Sequence, residues 1–514
     1  MFAKIHTGAL AGIEALDVTV EANVAAGGIG LYLVGLPDST IKESEQRIRS
    51  AFENSELRMT AKKIVVNLAP ADLRKEGSLY DLPIAVAILA ATGQVDAGMT
   101  DASMFVGELS LDGSLRGVRG VLPLVAMARE KGLRRVFLPR ANVEEGAVVE
   151  GIEVVGAGSL GEVAAMLDGR CEIVPAERGA TVWADTAAAA GRFAEDFADV
   201  RGQAAVKRAL EIAAAGGHNV IMVGAPGSGK TMLARRMPTI MPPMTLDEAL
   251  ETTRIHSVAG KIGSHRGLVA ERPFRSPHHL TSQVALIGGG QSPQPGEVSL
   301  AHNGVLFLDE MPEFGHSVLE VLRQPLEDRR ITVSRARYSV EYPANFTLVA
   351  SMNPCPCGYY NHPEKECTCS AAAVHRYMGR ISGPLMDRID IHVEVVPVSI
   401  AEMSSMRAGE SSAEIRRRVV AAREVQSARF AGTGVHTNAM MNSRMLREFA
   451  PLSRESASLL EQAMQRLRLS ARAYDRIIKV ARTIADLEAQ ADISPAHISE
   501  AITYRTLDRE SWGC

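Results

Sequence analysis

The residues best suited to chemistry lie in Gly224-Ala-Pro-Gly-Ser-Gly-Lys-Thr231, which follows the apolar run Asn219–Val223 and opens into a helical pattern at Met232–Met237. Glycines 224, 227 and 229 let successive backbone N–H groups turn inward, and N–H groups converging at a helix start hold phosphate oxygens. The candidate nucleotide contacts are therefore Gly224, Ala225, Pro226, Gly227, Ser228, Gly229, Lys230, Thr231 and Met232, with Lys230 reaching the β and γ phosphates and Thr231 placing a hydroxyl on Mg²⁺. Val305-Leu-Phe-Leu-Asp-Glu310 is an apolar strand closing on two carboxylates, at the sheet edge where ligands of parallel sheets bind. Asp309 is read as the second Mg²⁺ group and Glu310 as the carboxylate that orients the attacking water. Another strand, Thr347-Leu-Val-Ala-Ser-Met-Asn353, ends in an amide placed to sense a γ-phosphate. The cofactors expected are ATP and Mg²⁺.

A different chemistry is written at 355–369. Cys355-Pro-Cys357 and Cys367-Thr-Cys369 offer four thiolates at a spacing that can close a tetrahedral Zn²⁺ site, and four protein ligands leave no open position, so the site reads as structural. His362 could replace one sulfur, and Cys171 and Cys514 stand alone. Six cysteines in 514 residues are too few for a disulfide framework.

These groups need elements to carry them. Residues 1–167 alternate apolar strands (Leu16–Val20, Gly30–Val34, Lys63–Leu68, Arg135–Leu138) with helical stretches (Ile41–Phe52, Leu82–Thr92, Val121–Lys131), which is an α/β pattern. The pattern decays over 168–197 into Gly, Pro, Asp and alanines, a linker composition. Over 198–397 a second α/β pattern places strands at Val220–Val223, Gly304–Leu308, Phe346–Ala350 and Ile391–Val395, and 398–514 carries only helical spacing. With 46% hydrophobic and 23% charged residues the chain reads as globular and, at this length, as more than one domain. No apolar run approaches a membrane span, and Met1–Ala15 lacks a signal-peptide layout, so the expected location is the cytoplasm, with no membrane partner. The net charge of −4 hides an asymmetry: residues 402–486 carry fifteen Lys/Arg against nine Asp/Glu.

Taken together, Asp199-Val-Arg-Gly-Gln203, Lys207–His218, the loop at 224–231, Arg275-Ser-Pro-His-His279, Gly304–Glu310, Asn353-Pro-Cys-Pro-Cys-Gly358 and Ile381–Asp390 resemble the ComM/YifB group of magnesium-chelatase-like AAA+ ATPases over essentially the whole chain. The resemblance implies a P-loop AAA+ α/β core, a C-terminal helical lid and a homo-hexameric ring. It also implies a helicase driving branch migration of single-stranded or branched DNA during homologous recombination in natural transformation. By the family pattern Arg388 looks like the arginine finger that enters a neighbouring subunit's site, and Arg472 like a sensor arginine on the lid. Related helicases carry a pore hairpin where Leu326–Tyr342 stands; Arg335 and Arg337 fall at its tip, with Arg329 and Arg330 beside them, as phosphate contacts that read no sequence. The insert Gln283–Pro295 has a loop composition. Ala69–Asp81 and Gly107–Pro123 resemble the Lon-protease-like, ribosomal-S5-like fold, but Leu79 and Leu122 stand where that family has its serine and lysine, so the module is expected to be non-catalytic, with Ser78 and Ser110 as turn or cap hydroxyls. The alternatives are a magnesium-chelatase-type subunit driving metal insertion and an ATP-dependent protease-like remodeller.

Overall fold

The computed structural model describes residues 1–505 apart from 27, 37, 74, 178–182, 184–192, 263–266, 291–292, 336–337, 361, 363 and 398–408. The chain divides into two compact units, Met1–Ala189 with Thr245–Ala270, and Ala190–Met244 with Glu271–Cys514. No described helix is long and apolar enough to cross a membrane.

The first unit is built on a seven-stranded mixed sheet in the order Gly30–Val34, Lys63–Ala69, Glu14–Ala25, Phe2–Ala11, Ser103–Phe105, Arg135–Pro139, Glu153–Ala157. Phe2–Ala11 is a strand that the sequence reading passed over; it pairs antiparallel with Glu14–Ala25 from Phe2↔Asn23 to Ala11↔Glu14 across a turn in which Gly12 takes φ 67°. Helix Asp81–Ala91 is apolar on nearly every side and correspondingly buried, the pattern of a helix at the centre of a core. The helix Leu246–Val258 joins this unit although its sequence lies inside the second α/β stretch. Gly120 donates its N–H to Ser257 O at 3.1 Å, and Ser257 Oγ reaches the buried Glu145 carboxylate at 2.5 Å. Leu79 and Leu122 are both buried, Leu122 presenting its backbone N–H to Glu145 at 2.8 Å, so the two positions supply packing and no nucleophile or base. Ser78 opens the turn Ser78–Tyr80 and donates to Glu108.

In the second unit five parallel strands lie in the order Phe274–Arg275, Val305–Leu308, Thr347–Met352, Val220–Val223, Ile391–Glu394. Val220–Val223, Val305–Leu308 and Thr347–Met352 are buried at every residue, as strands covered on both faces must be, which explains why they read as continuous apolar runs. The helices Ser412–Arg429, Arg454–Leu467 and Ala471–Leu487 share one hydrophobic core with the sheet, Ile415, Val419, Leu460, Ile477 and Ile484 packing with Val220, Phe307 and Val349. The insert Gln283–Pro295 is more ordered than its composition suggests: Ser282 caps the helix Gln283–Ile287, and Gly288–Gly289 pairs with Gln294–Pro295.

Sheet and C-terminal helices are also joined by a buried polar network. Asp390 accepts from Asn219 N–H at 2.9 Å and pairs with Arg476, while His218 Nε2 bonds Thr483 Oγ1 at 2.8 Å. Asn219 is satisfied on both amide atoms, donating to Arg388 O at 3.0 Å and accepting from Leu348 N–H at 2.9 Å. Burial opposes charge on Asp390, but Arg476 and His218 outweigh it and hold the carboxyl well below the ordinary range.

Asp390→Asn keeps the shape and strands the Arg476 guanidinium, so chemical denaturation is expected to show a loss of about 3 kcal/mol, the scale of breaking a partly buried pair. Burial holds His218 and His392 below the usual histidine value. The unfolded chain then binds protons that the folded chain refuses, so the melting temperature should fall as the pH drops below about 6.5, and a flat melting profile between about pH 7 and about pH 5 would contradict this.

Candidate nucleotide site

Parallel register decides which side chains meet. Val223 lies beside Met352 and Leu308 beside Ala350, so the three strands end at nearly the same level, and the residues that follow each strand converge. From the first strand the chain enters Gly224–Gly229. A Cβ on Gly224 would lie 2.4 Å from Val395 O, and Gly227 and Gly229 take φ of 77° and 93°, so each glycine is required for its own reason. The helix Lys230–Arg235 begins immediately after, its N-terminus turned to the loop.

Lys230 Nζ donates to Gly224 O at 2.7 Å, Ala225 O at 2.9 Å and Asn353 Oδ1 at 3.3 Å. Burial lowers its pKa, against the pull of Asp309 and Glu310. Thr231 Oγ1 donates to Asp309 Oδ2 at 2.8 Å, so the hydroxyl and the carboxylate expected on Mg²⁺ are adjacent. Glu310 is exposed and adopts a left-handed backbone, φ 51°, a conformation costing roughly 1–2 kcal/mol in a residue with a Cβ. Its N–H holds that turn by donating to Asp309 Oδ1 at 3.1 Å and Ser351 Oγ at 3.2 Å. Two hydrogen-bonded pairs thus stand side by side, Lys230 with Asn353 and Thr231 with Asp309, with Glu310 next to Asp309.

Ser351 was not foreseen. Its hydroxyl donates to Asp309 Oδ1 and accepts from Glu310, fixing both acids. The trace of it in the sequence is a lone hydroxyl in the apolar strand Leu348–Met352, two residues before Asn353.

Arg388 and Arg472 make no described hydrogen bond to this cluster. Arg388, with a side chain 8% exposed, pairs with Glu327 and donates to Pro384 O at 2.6 Å. Arg472 is 63% exposed and reaches Asp387 at 3.2 Å.

The cysteine loop sits against the phosphate loop: a Cβ on Gly358 would lie 2.5 Å from Pro226 Cδ. Sγ of Cys355, Cys357 and Cys367 are 3.3, 3.6 and 3.7 Å apart, and with Cys369 all four sulfurs fall within 4.8 Å of one another. A ZnS₄ tetrahedron with bonds of about 2.3 Å needs sulfurs about 3.8 Å apart, so the donor set fits. His362 Nδ1 is taken by the N–H groups of Glu364 and Lys365, each at 3.1 Å. Burial opposes the Cys357 thiolate, but the Tyr359 N–H and the Cys355 thiol bring its pKa down to about 6.

Of the hairpin, Arg330–Arg335 pairs with Tyr338–Pro343; Ile331 and Val333 are buried and Tyr342 donates to Pro293 O at 2.8 Å. Arg337 and the side chain of Arg335 lie outside the described residues. Arg329 does not join a basic tip: it turns the chain at the hairpin root with φ 56° and donates to Phe346 O at 2.9 Å. Arg330 is exposed but pairs with Glu341 at 2.7 Å.

Lys230→Ala is expected to abolish binding of a fluorescent ATP analogue, whereas Glu310→Gln keeps binding and lowers turnover by about a hundredfold or more. Ser351→Ala should raise the Mg²⁺ concentration for half-maximal turnover by about tenfold, as loss of a ligand's hydrogen-bonding support does; an unchanged Mg²⁺ titration would remove Ser351 from the site.

Three family models match the chain: Subunit ChlI of Mg-chelatase over residues 20–142, Magnesium chelatase, subunit ChlI over 196–403, and Magnesium chelatase, subunit ChlI C-terminal over 409–505. Identity is 44% over 506 residues with a protein of Escherichia coli named Uncharacterized protein YifB, covering 98% of this chain and 97% of that one. It is 44% over 510 residues with Competence protein ComM of Haemophilus influenzae, covering 99% and 98%. A shorter likeness, 32% over 161 residues, relates 29% of the chain to 28% of Lon protease 2 of Bacillus subtilis. With loop, acids and amide gathered at one sheet edge, the chain belongs to the magnesium-chelatase-like AAA+ family, in its ComM/YifB group, a family that suggests ATPase activity with ATP and Mg²⁺.

Proposed function

We propose that the chain is an ATP-driven DNA motor, a helicase or branch-migration translocase serving homologous recombination during natural transformation, and that it works as a homo-hexameric ring. The observation that carries the ATP half is the Thr231–Asp309 contact beside the Lys230–Asn353 contact, four groups from three parallel strand ends. Gly224–Thr231 and Met232 would hold the triphosphate, Thr231 and Asp309 the Mg²⁺ that neutralises its charge. Glu310 orients water, Asn353 reports the γ-phosphate, and Arg388 and Arg472 act from the adjoining subunit and the helical lid. The name of the Haemophilus influenzae relative, a competence protein, supports the setting.

For DNA the support is the hairpin Arg330–Pro343, one face buried and the other solvent-facing at Thr332 and Ser334, to which the sequence adds Arg335 and Arg337 as basic groups. Such groups grip phosphates and read no bases. Zn²⁺ held by Cys355, Cys357, Cys367 and Cys369 is read as a structural clip on the loop after Asn353.

The family models' description favours a second reading, a chelatase-type subunit driving metal insertion. Turnover separates them: the motor reading expects branched DNA to raise ATP hydrolysis several-fold, and DNA indifference at all salt concentrations would end it. Arg335→Ala with Arg337→Ala should weaken DNA binding and flatten log K against log salt by about 0.7–0.9 per lost phosphate contact, leaving DNA-free hydrolysis intact. Metal analysis should return one zinc per chain.

A further inference from the structure

Arg388 is held in an unusual way for a group meant to act elsewhere. Its Nη2 pairs with Glu327, its Nη1 donates to Pro384 O at 2.6 Å, and its buried Nε has no partner among the described residues. Its partner is solvated: the Glu327 side chain is 55% exposed while that of Arg388 is 8% exposed. A guanidinium that is buried yet incompletely satisfied by a wet carboxylate is poorly explained as a stabilising device. It suits a group exchanged between two anionic partners, since the planar guanidinium matches phosphate oxygens as well as carboxylate.

The place of Glu327 in the chain gives the exchange a trigger. It lies in the last turn of the helix Arg323–Asp328, and two residues later Arg329 turns left-handed into the strand Arg330–Arg335. That root is stiff: Arg329 N–H donates to Pro325 O at 3.1 Å, its guanidinium to Phe346 O at 2.9 Å, and its carbonyl accepts from Ala344 N–H at 2.8 Å. At the far end the hairpin leads through Ala344–Phe346 into the strand Thr347–Met352 that carries Ser351 and ends beside Asn353. A displacement of the hairpin therefore reaches Glu327 at one end and the acid-holding strand at the other.

We infer that Glu327 is a positioning residue: it retains Arg388 within its own subunit and, as the root of the hairpin, releases the arginine toward a neighbouring subunit's γ-phosphate when the hairpin engages DNA. The inference rests on Arg388 being the arginine that acts in trans, and it adds the restraint and its link to the hairpin. Glu327→Gln removes the charge that holds the arginine and disturbs little packing.

The test compares full-length wild-type protein, Glu327→Gln, Glu327→Asp and Arg388→Ala in steady-state ATP hydrolysis, with and without a forked DNA. Expected for Glu327→Gln is a several-fold rise in DNA-free kcat, a KM for ATP within about twofold of wild type, and a ratio of DNA-stimulated to DNA-free rate that falls toward one. Glu327→Asp, which strains the same pair on a shorter stem, should give a smaller rise and serves as the readout if Glu327→Gln does not fold. If neither variant raises the DNA-free rate while Arg388→Ala abolishes hydrolysis, the restraint is refuted and the trans arginine stands. If Arg388→Ala hydrolyses ATP at the wild-type rate, the role of Arg388 fails, and the restraint with it.

Discussion

The site depends on one constraint, the parallel alignment of three buried strands. Because Val223 pairs with Met352 and Leu308 with Ala350, the loops that follow begin at one level, and Lys230, Thr231, Asp309 and Asn353 are brought within hydrogen-bond reach without any of them being sequence neighbours of all the others. Slippage by one residue would turn every side chain of a strand to the opposite face, and since both faces are buried that error is excluded by packing. The geometry of the site is thus a consequence of apolar burial beneath it.

Polar groups finish what the apolar sheet begins. Ser351 occupies the next position after Ala350 and so meets Asp309, the next after Leu308; its hydroxyl satisfies the carboxylate and the N–H of the left-handed Glu310. At the opposite ends of the strands, Asp390, Asn219, His218 and Arg476 bind the edge strand Ile391–Glu394 and its neighbour Val220–Val223 to the helix Ala471–Leu487. The segment Leu385–Arg388 lies just before this network, and its last two side chains go different ways: Asp387 to Arg472 on the C-terminal helix, Arg388 to Glu327 at the hairpin root. One short segment thereby touches both the helix Ala471–Leu487 and the helix that leads into the hairpin.

In the first unit Leu79 and Leu122 fill the core, and buried Glu145 binds the Leu122 N–H and Ser257. Ser257 comes from a helix whose sequence interrupts the ATPase stretch, so no reading of chain order could assign it to this unit.

What could be read directly from the residues was what a strong local pattern governs. The loop Gly224–Thr231 needs its glycines at given backbone angles, the buried strands are continuous apolar runs, and Cys355, Cys357, Cys367 and Cys369 lie close enough along the chain to meet. Phe2–Ala11 was missed because its alternation is blurred by small residues, and the helix Gln283–Ile287 because a five-residue helix rests on a serine cap more than on periodicity. Folding alone revealed the partners: Ser351 for Asp309, Glu327 for Arg388, Gly358 for Pro226, Phe346 O for Arg329. Each joins residues from separate elements, and such pairings arise from strand order and packing, which no local spacing encodes.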